Sequence, residues 1–71
     1  RILAVRLQVV AWMTGNPGTP VSASELAQKL DRVEDEDWIY KILESLSANN
    51  PTQFVRSASR LPLEDLFTFA D

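Results

Sequence analysis

The chain is predicted to be mainly α, with a three-helix core and a C-terminal β-hairpin that would make it α+β. Three observations carry that expectation. Apolar residues recur at helical spacing in three successive segments. Turn-forming clusters at Asn16-Pro17-Gly18, Asn49-Asn50-Pro51 and Leu61-Pro62 punctuate them. Beyond Pro51, two short stretches rich in aromatic and β-branched residues, Gln53–Ser57 and Leu66–Phe69, have strand character.

Residues 2–14 are expected to form the first helix. Leu3, Leu7, Val10 and Thr14 share one face at 3.6 residues per turn, with Ile2, Val9 and Met13 beside them. The β-branched Ile2, Val5, Val9 and Val10 keep a buried strand as the rival reading, and the length favours the helix. Asn16-Pro17-Gly18 stops it, with Gly15 suited to the left-handed position after a helix end. The segment is apolar over more of its circumference than one core face needs, which hints at a second packed surface.

The second helix has the clearest start. Ser22-Ala23-Ser24-Glu25 fits a capping box, in which the Ser22 hydroxyl accepts from a backbone N–H and Glu25 reaches back. Leu26, Ala27 and Leu30 supply its buried stripe, and Asp31-Arg32 leaves it. A third helix should begin near Asp35 and run to about Ala48. Asp35 or Glu36 can cap it, and acids in its first turn suit the positive end of the helix dipole. Ile39, Ile42, Leu43 and Leu46 form its inward stripe, leaving Asp37, Tyr40, Lys41, Glu44 and Ser47 outward. The expected core is Leu3, Leu7, Val10, Leu26, Leu30, Ile39, Ile42, Leu43, Leu46 and Phe54.

After Pro51 two readings compete. Gln53–Ser57 and Leu66–Phe69 would pair as an antiparallel hairpin. Against that, Pro62-Leu63-Glu64-Asp65 is a good helix start, and Leu63, Leu66, Phe67 and Ala70 would then form a helical stripe. The strand propensity of Phe67-Thr68-Phe69 tips the balance slightly to the hairpin.

A helix, then Val21-Ser22-Ala23-Ser24-Glu25-Leu26-Ala27-Gln28-Lys29-Leu30, then a helix ending Ile42-Leu43-Glu44-Ser45-Leu46, then a hairpin: this order resembles winged helix-turn-helix domains over roughly residues 2–60. The resemblance implies a helix-turn-helix core with a C-terminal wing, and a third helix in the place of the recognition helix. Two features depart from the family pattern. The connection Asp31–Glu36 is longer and more acidic than the usual tight turn. The first turn of the third helix holds Glu36 and Asp37 where DNA-binding members place base- and phosphate-contacting residues.

Composition narrows the function classes. With 71 residues, the chain is one domain (1–71) near the size limit for folding without staples. The absence of cysteine excludes disulfides, thiolate zinc sites and cysteine nucleophiles, and the absence of histidine removes the commonest catalytic base and metal ligand. A net charge of −3 is the opposite bias to that of a generic nucleic-acid binder. The first residue is Arg1, which reads as a piece of a longer protein or a processed product. The apolar run Ile2–Met13 is too short for a bilayer and lacks a signal-peptide cleavage pattern, so a soluble intracellular module is expected, with no membrane partner. No Ser, Thr, Lys or carboxylate spacing recommends a catalytic group, and no glycine-rich phosphate loop exists. The expectation is therefore no enzyme, no cofactor, no metal and no small-molecule substrate.

Two sets of side chains are candidates for binding. The acids Glu34, Asp35, Glu36 and Asp37 could dock a basic partner; equally, they could be a solvated helix-capping cluster. Trp12, on the polar sector of the first helix near Gln8, is expected to be partly exposed, as interface anchors are; for both Trp12 and Trp38, core packing is the plainer alternative. The favoured expectation is a non-catalytic interaction module that contacts a protein partner, or a second copy of itself, through the third helix's acidic start and the exposed side of the first. The alternative is a DNA-binding winged helix-turn-helix domain of a transcriptional regulator or DNA-processing protein. It would read the major groove with Tyr40, Lys41 and Glu44, steadied by Arg56 and Arg60, although two arginines neutralise little phosphate.

Overall fold

The computed structural model describes residues 2–59 and 64–70, with side chains for 4–59 and 64–70. The elements run α1 (Ile2–Gly15), α2 (Ala23–Lys29), a 3₁₀ turn at Val33–Asp35, α3 (Glu36–Asn49), β1 (Phe54–Ser57) and β2 (Leu66–Phe69). The fold is mainly α, three helices followed by an antiparallel hairpin, an arrangement compatible with a winged helix.

The hairpin prevails over the fourth helix. Phe54 pairs with Phe69 and Ser57 with Leu66, and alternation then turns Phe54 and Phe67 inward while Val55 and Leu66 face out. A helix from Pro62 would have had to turn Leu66 and Phe67 inward together. The Phe54 and Phe69 rings sit 5.2 Å apart on the inner side, a cross-strand aromatic pair of the kind that stabilises sheets. β2 also exchanges both backbone hydrogen bonds with Val21 through Phe67, at 3.0 and 2.7 Å, so the segment between α1 and α2 adds a one-residue third strand. Leu61-Pro62 and Leu63, on which the helical reading leaned, lie outside the described residues.

The core gathers Val5, Val9 and Met13 of α1, Ala23, Leu26 and Ala27 of α2, and Ile39, Ile42, Leu43 and Leu46 of α3, closed by Val21, Phe54 and Phe67. The α3 stripe is the one the sequence predicts. For α1 the face is different. Leu7, a predicted core residue, is 70% exposed, and Val10 and Leu30 are only half-buried at the core's edge. The side chain of Leu3 lies outside the described residues. The physical reason is that α1 is apolar almost all round, so its pattern carries little directional information. Packing selects the Val5–Val9–Met13 edge, spaced by four residues, leaves Leu7 and Thr14 of the predicted face exposed, and keeps Val10 at the core's margin.

The turns add three corrections. Gly15 is the last residue of α1 and keeps a helical backbone, whereas the left-handed position falls on Gly18, at φ 79°. Pro17 and Gly18 occupy the two central positions of a turn closed by Thr19 N–H to the Asn16 carbonyl at 3.3 Å, the residue order of a type II turn. Gly18 then donates to the Phe69 carbonyl at 2.9 Å, tying that turn to β2. At the start of α3, Asp35 holds the N-cap position but its side chain makes no capping hydrogen bond. Ser47, expected outward, is buried, its hydroxyl donating to the Glu44 carbonyl at 3.0 Å.

At the start of α2 the capping prediction is met: the Glu25 N–H donates to the Ser22 hydroxyl at 3.1 Å, and that hydroxyl faces the Glu25 carboxylate at 3.4 Å. The helix ends in a Schellman motif, with Arg32 N–H to the Ala27 carbonyl at 2.8 Å and Asp31 N–H to that of Gln28 at 3.2 Å. Asp31 takes the left-handed position, φ 56°, usually filled by glycine. The long connection Asp31–Glu36 is thus this motif followed by one 3₁₀ turn.

Candidate functional site

The hairpin brings Tyr40, Glu44 and Arg56 of the nucleic-acid set into one cluster on α3 and β1. Arg56 lies opposite Phe67 on β1, and its side chain points back over the sheet's inner face, within 5.8 Å of the Phe67 ring and 5.9 Å of the Tyr40 ring. Its Nη2 donates to the Tyr40 hydroxyl at 2.9 Å, and Nη1 lies 3.6 Å from the Glu44 carboxylate. The Tyr40 hydroxyl donates in turn to Glu44 at 3.5 Å. The shortest contacts go to Asp65, from Nη2 at 2.6 Å and Nε at 2.9 Å.

Asp65 is the residue that sequence reasoning missed. It stands one place before β2, is 2% exposed, and accepts the Ser59 backbone N–H at 2.6 Å on its second oxygen. The Arg56 hydrogen bond, then the Ser59 N–H, hold its carboxyl below the usual carboxylate range against the opposing effect of burial. The Asp65 hydrogen bond likewise raises the Arg56 pKa. A periodicity argument had no means of finding this pair, because Asp65 reads as a helix-start acid until the hairpin register is known.

Lys41 stands apart from that cluster, with its ammonium 5.3 Å from the Trp38 ring. Trp38 is 46% exposed and so outside the core. Arg60 lies outside the described residues.

The protein-interface set divides. Gln8 accepts a hydrogen bond from Arg32 Nε, and the same guanidinium lies 3.5 Å from the Asp35 carboxylate, which is 3% exposed. The structure therefore joins Gln8 and Asp35 through Arg32 and turns Asp35 inward, leaving Glu34 and Asp37 exposed and Glu36 half-buried. Arg32 was not among the sequence candidates; its place three residues before Asp35 is the one available signal. Trp12 is half-buried beside the core, with the Lys29 ammonium 5.8 Å from its ring and its carbonyl capped by the Asn16 amide at 2.8 Å.

Between the C-terminal half of α3 and β1 runs an open groove of about 380 Å³, lined by Ala48, Pro51, Phe54 and Val55 with Glu44 and Arg56 at its charged end. Among the described residues, no group of three or more acids could hold a metal ion, and no helix is long and apolar enough to cross a membrane. Every buried side-chain nitrogen or oxygen among them has a hydrogen-bond partner. No family model, curated protein or solved structure matches the chain.

Proposed function

We propose that this domain is a non-catalytic, winged-helix-like interaction module that contacts protein through the outward face of α1 and the start of α3. The observation that carries the reading is how Arg56 is used. A phosphate-binding arginine needs its donors turned to solvent, whereas here they engage Asp65, Tyr40 and Glu44. The exposed start of α3 offers Glu34 and Asp37, whose charge repels a phosphate backbone. Leu7 on α1 and Trp38 on α3 are large exposed apolar side chains, and exposed aromatic and aliphatic anchors suit protein contacts.

The test has two arms. The labelled domain is titrated with mixed duplex DNA at low salt, and a photoreactive amino acid is placed at Leu7 or Trp38 in cells. The reading expects a silent titration at Tyr40, Lys41 and Arg56, and adducts with protein from both positions. Salt-sensitive shifts at those three residues, with nucleic-acid adducts from position 38, would replace it with the DNA-binding reading.

A further inference from the structure

Helix α1 has two usable faces, and the core takes only one. On a helical wheel the arc opposite Val5, Val9 and Met13 holds Ala4, Leu7, Ala11 and Thr14, all exposed, with Leu7 at 70%. The spacing is three, four, three, which is the seam of two helices packed side by side. No charged residue falls on this arc. Arg6, the only charge within α1, sits on a flank, and Gln8, bonded to Arg32, marks the other.

We infer that the occupant of this face is α1 of a second copy of the chain, packed antiparallel, so that the protein self-associates through Leu7. The inference rests on the protein-interaction reading above and names its partner for α1. The first argument is the order of side chains, which reads small, large, small, β-branched along the arc. Reversing one helix about the level of Val9 puts each Leu7 against the partner's Ala11 and each Ala4 against the partner's Thr14. Large then meets small on both sides of a two-fold axis, the self-complementarity that an isologous interface requires. The second argument is charge. The chain carries ten carboxylate side chains, and α1 contains none of them, so two net-negative copies meet there without juxtaposing acids. Antiparallel order also offsets the two Arg6 side chains by roughly 9 Å along the axis, whereas parallel order would set them level. The small alanines permit close approach of the backbones around the central leucines.

A 14-residue helix pair buries less than a standard stable interface, so the association is weak and concentration-dependent. Sedimentation and amide shifts of the purified domain, followed from micromolar to millimolar concentration, test it. The weight-average mass should climb toward twice the monomer, with shift changes centred on Ala4, Leu7, Ala11 and Thr14. Leu7→Glu should abolish both effects while its far-UV spectrum and melting point stay those of the parent, and Leu7→Met should retain them. A monomer throughout the range, or a dimer that Leu7→Glu leaves intact, overturns the inference. The two proposals fail separately: a monomer that still yields protein adducts from position 7 sinks self-association alone, and nucleic-acid adducts from position 38 sink the interaction reading.

Discussion

The two hydrogen bonds that the Arg56 guanidinium gives to Asp65 land on one oxygen, Oδ2, while Oδ1 receives the Ser59 backbone N–H. One buried carboxylate thus fixes the side chain of β1 and the backbone that follows β1, and it does so from the residue preceding β2. Removing the Arg56 charge leaves Asp65 badly placed, because a buried ion stripped of its partner keeps its desolvation penalty, whereas Arg56 itself is solvent-exposed.

The pair makes the fold acid-sensitive. Asp65 has its folded-state pKa below the ordinary 3.8, first through the Arg56 hydrogen bond and then through Ser59 N–H. A depressed folded pKa contributes stability that is present above the unfolded value and lost as pH falls through the folded one. Urea midpoints measured downward from neutral pH should therefore decline below about pH 4, and Asp65→Asn should flatten that part of the curve while lowering the neutral midpoint. A variant with an unchanged neutral midpoint would mean the pair contributes nothing net.

Helix α1 supplies a contrast between neighbouring turns. Met13 is fully buried and Leu7 largely exposed. Met13→Ala should cost about 2–5 kcal/mol, against within about 0.5 kcal/mol for Leu7→Ala. Denaturant melts of the two variants at low protein concentration, where self-association is absent, check the assignment. Equal losses would mean that the inward face of α1 has been misassigned.

That contrast also marks how far the sequence could be read. In α3, acids and polar residues separate Ile39, Ile42, Leu43 and Leu46 cleanly, so the inward stripe follows from spacing alone. α1 has Arg6 and Gln8 as its only strongly polar interior residues, and a pattern with so little polar contrast does not point anywhere; the choice between its faces belongs to tertiary packing. The Ser22 cap was legible because it is a local bond over three residues. The Arg56–Asp65 pair and the Gln8–Arg32 bond were not, since each joins chain segments that meet only after folding. Likewise the acids at 34–37 look uniform in sequence, and only the 3₁₀ turn decides that Asp35 goes in while Glu34 and Asp37 stay out.

Two left-handed residues, Gly18 and Asp31, should respond in opposite directions. At Gly18, φ 79°, an alanine is strained although its Cβ would meet nothing within 4 Å, so Gly18→Ala should destabilise by about 1–2 kcal/mol. At Asp31, φ 56°, the strain is already present, and Asp31→Gly should stabilise by about 0.5–1 kcal/mol. Thermal melts of both single variants would show it, and a shift of the same sign in both would contradict the assignment.

Phe67 is where the hairpin is fastened to the helices. Its backbone pairs with Val21, its ring stands edge-on to Tyr40 at 6.3 Å, and Arg56 covers it from the β1 side. Phe67→Ala removes a fully buried ring, a loss of about 3–5 kcal/mol, set against a total of about 4–10 kcal/mol for a chain of this length. The hairpin and the Val21 bridge should open together, seen as fast hydrogen exchange at the Val21 and Phe67 amides. Val55→Ala, on the outer face of the same hairpin, should leave those amides protected. If the Phe67 variant exchanged no faster there than the parent, the hairpin would be held by its own cross-strand bonds, and docking through Phe67 would not be what secures it.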